Sequence, residues 1–237
     1  MLLDTGFNIA TNQVSCSVID LRPVRGRMSH LCASRDVGLL CYGTLLGGFI
    51  SEKWLGLPEP AEIDALNWSL KKYLRFIRAA GGWSAFQGVL AALGTVAKKH
   101  SVSIPAVATR WVLDLPAVKA VIVGTGLSAN SEQHIAENLL AFSVKLDDED
   151  RSIIANAQKG LRDIPGDCGD EYRRPPYLTA AGDLSHHVKE TDRARSVREA
   201  VAAGQRVEYL SGSKWEPICV GERQFAFRVV TLTIHLP

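Results

Sequence analysis

The sequence lacks the features of a disulfide-rich or membrane-spanning protein. Its five cysteines include no C-x-x-C pair, so no disulfide framework is indicated and a reducing compartment is favoured. No apolar run approaches the roughly 20 residues of a bilayer span, and residues 1–4 do not have the composition of a signal peptide. We therefore expect a cytoplasmic protein that does not insert into a membrane.

An excess of charge of one sign is also missing. The 27 Lys and Arg residues are nearly balanced by 25 Asp and Glu residues, which leaves a net charge of +2. The basic residues are scattered, and pairs such as Lys71-Lys72 and Lys98-Lys99 are typical of solvated helix faces. Because no basic strip is present, neither nucleic acid nor an anionic membrane is an expected partner.

What the sequence contains instead is an alternation of β-favouring runs and helical patterns. Apolar and β-branched runs predict strands at 7–19, 37–41 and 118–124. Apolar residues at helical spacing predict a short helix after the first strand and three longer helices between the second and third, at 28–35, 63–77, 83–100 and 104–113. This order favours parallel strands joined by right-handed crossovers. The predicted fold class is therefore α/β.

A glycine-rich loop follows the second predicted strand. That strand ends at Tyr42, and Gly43, Gly47 and Gly48 come directly after it. In parallel α/β folds ligands bind at the loops that follow the strands, and glycines let backbone N–H groups approach a phosphate closely. An ordinary strand followed by a turn would show the same pattern, so the stretch by itself leaves both interpretations open.

The third predicted strand leads into a second candidate anion site. It runs into residues 125–128 and a helix predicted at 131–142, where Asn130 can serve as N-cap with Gln133 as its partner. The free N–H groups of such a helix end favour an anion. A further helix, capped by Asp147 and closed by Gly160, is predicted to follow.

The composition changes near residue 161. We expect one domain over 1–160, a Gly-, Pro- and Asp-rich linker or arm with one helix over 161–205, and a short β-like tail over 206–237. The adjacent His186 and His187 lack a third ligand at useful spacing, so no metal site is assigned.

Several motifs together resemble the second half of an aldo-keto reductase barrel. The motifs are Thr11-Asn12-Gln13-Val14, Leu40-Cys41-Tyr42-Gly43, Gly81-Gly82-Trp83, Val107 to Leu113, Val121-Ile122-Val123-Gly124 and Glu137-Asn138 with Phe142. The resemblance covers roughly residues 6–156. It implies an incomplete (β/α)8 TIM barrel and an oxidoreductase that moves a hydride between NADPH and an aldehyde or ketone.

The same resemblance implies roles for particular residues. Gln13 would bind the nicotinamide carboxamide and Tyr42 would stack on the nicotinamide ring. The loop from Gly43 to Gly48 would lie along the pyrophosphate, and residues 124–128 with the following helix would hold the adenosine end. The implied cofactor-binding residues are Gln13, Tyr42, Gly43, Thr44, Leu45, Gly47, Gly124, Thr125, Ser128, His134, Glu137 and Asn138.

The chain departs from the family pattern in two respects. The catalytic tyrosine, lysine, aspartate and histidine of the family belong to the first half of the barrel, so no catalytic residue is assigned and a truncated chain, inactive alone, is expected. Gly126 and His134 stand where members often carry a basic residue for the NADPH phosphate, so NAD remains possible.

Two alternatives follow from these departures. Three strands cannot close a barrel, and unpaired edges favour pairing with another chain. The protein could therefore be a non-catalytic pseudo-enzyme or interaction module that docks on a protein partner. Separately, residues 210–216 resemble the opening strand of a reactive-intermediate deaminase (RidA-like) domain, although little chain follows.

Overall fold

The computed structural model describes residues 2–124, 131–172, 216–220 and 223–227, the last two ranges by their backbone. The strands are β1 (Thr11–Ser15), β2 (Gly38–Tyr42), β3 (Val118–Val121), β4 (Glu216–Val220) and β5 (Arg223–Phe227). The α-helices are α1 (Arg22–Arg25), α2 (Met28–Ser34), α3 (Trp68–Ala79), α4 (Trp83–His100), α5 (Ile104–Leu113), α6 (Ser131–Leu139) and α7 (Asp148–Gln158). Single 3-10 turns lie at Leu2–Thr5, Leu46–Gly48, Glu52–Trp54, Ile63–Ala65, Leu140–Phe142 and Asp170–Tyr172.

The first three strands form one parallel sheet in the order β1-β2-β3. Ser15 pairs with Tyr42, and Cys41 pairs with Val121, so the carboxyl ends of all three strands meet at one edge. The loops that leave β2 and β3 therefore begin side by side. The prediction of about three parallel strands in an incomplete (β/α) barrel is confirmed. The β4 and β5 strands form a separate antiparallel pair.

The predicted first strand, 7–19, is longer than the observed β1. At its start, Phe7 is 67% exposed and precedes β1. At its end, Val18 and Ile19 are buried, but they lie in a turn in which Ser17 Oγ accepts hydrogen bonds from the N–H groups of Ile19 and Asp20. Apolar residues that are buried in a turn therefore gave the same sequence pattern as a strand. The third strand likewise ends at Val121 rather than at residue 124.

The strongest helical patterns give the most accurate predictions. Both α4 and α5 begin and end where the periodicity indicates. By contrast, α3 begins at Trp68 because Asn67 accepts a hydrogen bond from the N–H of Leu70 and caps the helix there. The helix predicted at 131–142 ends at Leu139 and continues as a 3-10 turn. Asp147 caps α7 as predicted, in a reciprocal capping box with Asp150. The helix ends at Gln158 with Lys159 as C-cap, so Gly160 directly follows the helix end, as predicted.

The main hydrophobic core lies among the helices rather than on the sheet. Its largest fully buried side chains include Phe49, Phe76, Phe86, Leu90 and Ile154. A second cluster joins the three strands to the end of α5. Within the part of the chain that the structure describes, neither β1 nor β3 has a strand on its outer side.

One apolar surface remains uncovered by the described residues. Ile135 and Leu139 on α6, with Leu140 and Phe142 in the turn after it, are 38–48% exposed. None of the described helices is long and apolar enough to cross a bilayer.

Candidate functional site

A cleft of about 630 Å³ lies where the chain leaves β2 and β3. This volume is within the range of small-molecule sites, about 300–1,000 Å³. The glycine loop, the residues after β3 and one side of α6 contribute most of its lining. The lining residues are Gly43, Thr44, Leu45, Gly47, Gly48, Ile50, Ser51, Glu52, Lys53, Ser69, Tyr73, Pro105, Ile122, Val123, Gly124, His134, Glu137 and Asn138.

The glycine loop can lie against α3 only because two of its residues lack a Cβ. Gly43 and Gly47 have φ values of 70° and 67°, in the left-handed region that favours glycine. A Cβ on Gly43 would lie 2.7 Å from the Tyr73 hydroxyl oxygen, and one on Gly47 would lie 2.5 Å from Ser69 Oγ. The loop therefore packs against α3 more closely than a Cβ at either position would allow.

Thr44 carries a polar atom that the protein leaves unsatisfied. The residue is 1% exposed, and its Oγ1 has no hydrogen-bond partner among the described residues. A buried hydroxyl without a partner costs roughly 1–3 kcal/mol. Because Thr44 also lines the cleft, a ligand oxygen that reached this enclosed hydroxyl would supply the missing acceptor.

The charged residues after the glycine loop were not predicted as site residues. Glu52 Oε1 accepts a hydrogen bond of 2.6 Å from the backbone N–H of Ile104, at the start of α5. Lys53 lies beside it, with Nζ 5.4 Å from the centroid of the Trp54 ring. One carboxylate of the lining is therefore engaged by a helix end, while the neighbouring ammonium can reach an anion. The sequence signal was the adjacency of these residues to the glycine loop.

Residues of α6 form the polar wall of the cleft. His134 Nδ1 lies 3.5 Å from Glu137 Oε2, one helical turn away, and Asn138 follows. All three were predicted as cofactor-binding residues, as was Gly124. Thr125 and Ser128, with Gly126 and the proposed cap Asn130, lie outside the described residues.

Gln13 and Tyr42 lie apart from this lining. Gln13 is exposed on β1, where it pairs with Leu40. Tyr42 is half-buried at the end of β2, and its hydroxyl donates a hydrogen bond of 3.0 Å to Glu171 Oε1. The structure thus brings the loop and α6 residues together in one cleft and places Gln13 and Tyr42 outside it.

The thiols of Cys16 and Cys168 are not activated as nucleophiles. Burial raises the pKa of Cys168 to about 12. A hydrogen bond with the Cys41 thiol, together with burial, raises the pKa of Cys16 well above its usual value. No group of three His, Cys, Asp or Glu residues in the described ranges could hold a metal ion. His186, His187 and the RidA-like stretch up to Lys214 and Trp215 lie outside the described residues.

Comparison of the sequence with models of known protein families identifies a family for this chain. The family model described as "Aldo/keto reductase family" matches residues 1–159. Flagellar radial spoke protein 5 of Chlamydomonas reinhardtii is 35% identical over 116 residues, which is 47% of this chain and 21% of that protein. Estradiol 17 beta-dehydrogenase 5 of Mus musculus is 23% identical over 164 residues, 68% of this chain and 41% of that protein. The chain therefore matches less than half the length of each.

Solved structures of other proteins also align with part of the chain. A thermostable aldo-keto reductase in complex with the inhibitor epalrestat aligns with a TM-score of 0.44 at 20% identity, over 66% of this chain and 42% of that one. The glycerol dehydrogenase of Gluconobacter oxydans aligns with a TM-score of 0.47 at 18% identity, over 70% and 47%.

Proposed function

The chain belongs to the aldo/keto reductase family, and from this premise we propose that it forms the cofactor-binding side of an NAD(P)H-dependent oxidoreductase that reduces aldehydes or ketones. One observation carries the proposal. Apart from Gln13 and Tyr42, every cofactor-binding residue proposed from the sequence that lies within the described residues lines one cleft.

The lining suits the phosphates of a dinucleotide. The close-packed glycine loop offers backbone N–H groups, Thr44 offers an unpaired hydroxyl, and Lys53 offers a positive charge. When bound, the cofactor would supply the hydride that reduces a carbonyl carbon. The residues of this chain would bind and orient it, with Gln13 at the carboxamide and Tyr42 against the nicotinamide ring.

The polar wall bears on the choice between the two nicotinamide cofactors. The carboxylate of Glu137 lies beside His134, and a negative charge there opposes the additional phosphate of NADPH. A protonated His134 would favour that phosphate. We therefore propose NADP(H) from the family, with NAD(H) as the competing cofactor, and both belong in the same titration.

We propose that this chain binds cofactor but does not turn over substrate alone. The family's acid–base residues were expected in the first half of the barrel, outside the motifs that this chain matches. The free thiols of Cys16, Cys32, Cys41 and Cys168 agree with a reducing, cytoplasmic location.

Titration of the purified chain with NADPH and NADH tests the proposal. Trp54 lies next to Lys53 and contacts Trp83 edge-on, with ring centroids 6.0 Å apart, so its fluorescence reports on the cleft. We expect saturable quenching at or below millimolar cofactor. No saturable change with either cofactor overturns the proposal.

A second function, a docking module without catalysis, is favoured by two observations. One relative is named as a radial spoke protein, and the described residues leave the apolar side of α6 uncovered. Light scattering after size-exclusion chromatography separates the alternatives. A stable monomer with a sharp melting transition contradicts a docking requirement, whereas a defined complex supports it.

A further inference from the structure

The segment that follows the glycine loop is held by hydrogen bonds to two helices. We call residues 52–57 the lysine loop, after Lys53, which lines the cleft together with Glu52. The lysine loop begins with the 3-10 turn Glu52–Trp54 and continues to Leu57. Loops that leave the strands of enzymes are often mobile and close over their ligands. The contacts of this loop therefore decide whether the cleft is preformed or closes on binding.

Gln87, on α4, uses both ends of its side-chain amide to hold the lysine loop. Its Nε2 donates a hydrogen bond of 2.8 Å to the backbone oxygen of Trp54. Its Oε1 accepts a hydrogen bond of 2.8 Å from the backbone N–H of Gly56. The amide thus bridges the backbone on both sides of Leu55. Contacts made at two points in this way fix geometry as well as contributing energy.

Further contacts hold both ends of the lysine loop. At its start, Glu52 Oε1 accepts a hydrogen bond of 2.6 Å from the backbone N–H of Ile104, in α5. At its end, Trp83 Nε1 donates a hydrogen bond of 2.8 Å to the backbone oxygen of Leu57. Between them, the ring of Trp54 packs against the main core. The lysine loop is therefore anchored to α4, to α5 and to the core by contacts that need no ligand.

These anchors fix the backbone on both sides of Lys53. The side chain of Lys53 is exposed and lines the cleft, with Nζ 5.4 Å from the centroid of the Trp54 ring. An ammonium group carried on a fixed backbone loses less conformational freedom on binding an anion than one carried on a mobile loop. The anchors therefore prepare Lys53 for a negatively charged group in the cleft.

We propose that Gln87 is a positioning residue: by holding the lysine loop at Trp54 and Gly56, it fixes Lys53 at the cleft, so that the site is preformed for a phosphate-bearing ligand. The lysine loop then does not act as a lid. The proposal rests on the function proposed above and adds a residue that is not among the described residues lining the cleft. Gln87 therefore acts on a ligand only through the loop that it holds.

Isothermal titration calorimetry of the full chain with ADP tests this role. The variant is Gln87→Met, which keeps the length of the side chain and removes both hydrogen bonds. We expect it to weaken ADP by roughly fivefold, because the loosened loop must be ordered on binding. The control is Gln158→Met, which should bind ADP as the wild type does, since Gln158 donates to the backbone oxygen of Val18 and does not line the cleft. Equal affinities of the wild type and folded Gln87→Met, or no ADP binding by the wild type, overturn the proposal.

A double-mutant cycle shows whether Gln87 acts through Lys53. Lys53→Met should weaken ADP by roughly tenfold, because it removes a charge-assisted contact. If Gln87 positions Lys53, adding Gln87→Met to Lys53→Met should cause little further loss of affinity. Losses that add would mean that the two residues act independently. The role of Gln87 would then be only structural, which contradicts the proposal.

Titrations with NADPH and NADH on the same variants separate this proposal from the function itself. If ADP binding depends on Gln87 through Lys53 but neither nicotinamide cofactor binds, the positioning role holds and the proposed function fails. If a cofactor binds equally well to the wild type and to Gln87→Met, the proposed function stands and the positioning role fails.

Amide exchange of the wild type covers the case in which Gln87→Met does not fold. Because contacts within the protein hold the lysine loop, its exchange should be the same with and without saturating ADP. Mass spectrometry of peptides that cover residues 52–57 measures it. A loop that closes on its ligand would gain protection when ADP binds, so a strong slowing of exchange in these peptides contradicts the proposal.

Discussion

The glycine loop gives the sharpest stability prediction, through Gly47→Ala. An alanine there must adopt a φ of 67°, which costs about 1–2 kcal/mol in the left-handed region. Its Cβ would also lie 2.5 Å from Ser69 Oγ and 3.0 Å from Tyr73 Cδ2. Overpacking of this kind costs about 1–3 kcal/mol. We therefore expect Gly47→Ala to lower the free energy of unfolding by about 2–5 kcal/mol.

Gly56→Ala is the matched control, because it measures the cost of placing an alanine at a positive φ without any overpacking. Gly56 has a φ of 75°, and a Cβ on it would meet nothing within 4 Å. Its expected cost is only about 1–2 kcal/mol. Urea unfolding followed by tryptophan fluorescence measures both variants. Adding Ser69→Ala should recover part of the Gly47→Ala loss. A Gly47→Ala cost no larger than that of Gly56→Ala would refute the argument that the loop needs close approach to α3.

Two further predictions concern titratable groups. Burial pushes the pKa of Asp150 up, but hydrogen bonds with His100 and Lys99 outweigh it and lower that pKa to about 2. This carboxylate is more acidic in the folded than in the unfolded chain, so its contribution is present above pH 4 and lost as pH falls toward 2. In urea unfolding at several pH values, the free energy of unfolding of Asp150→Asn should fall less steeply below pH 4 than that of the wild type. An equally steep fall in both proteins contradicts the assignment. Cys168, with its pKa raised to about 12 by burial, should react with a thiol reagent at pH 8 far more slowly than unfolded chain does. Equal rates would contradict the protection expected of this partly buried thiol.

The fold was predictable where local pattern and tertiary environment agree. The long apolar periodicity of α4 and α5 located both helices, because each buries one continuous face. The apolar run after Ser15 misled, since its side chains are buried in a turn held by Ser17. A hydrophobicity pattern records burial, whereas the backbone conformation depends on hydrogen bonds that it does not encode.

The residues of the site were predictable where a local sequence motif marks them. The glycine loop and the polar residues of α6 carry local motifs, and they line the cleft together. Ser69 and Tyr73 were missed because they come from a helix whose apolar pattern indicates only packing. The ion pair between Glu171 and Arg22 was missed because the two residues are 149 positions apart. A glycine- and aspartate-rich composition favours a linker unless such a long-range ion pair is known.

The most direct measurement of the central claim is a calorimetric comparison of Thr44→Val with Thr95→Val. Thr44 lines the cleft with an unpaired hydroxyl, whereas the Thr95 hydroxyl donates to a backbone oxygen within α4, away from the cleft lining. If the cleft holds a dinucleotide phosphate, Thr44→Val should weaken the better-bound of NADPH and NADH by roughly tenfold, and Thr95→Val should bind it as the wild type does. Equal affinities for both variants, or no binding by the wild type, would contradict the account.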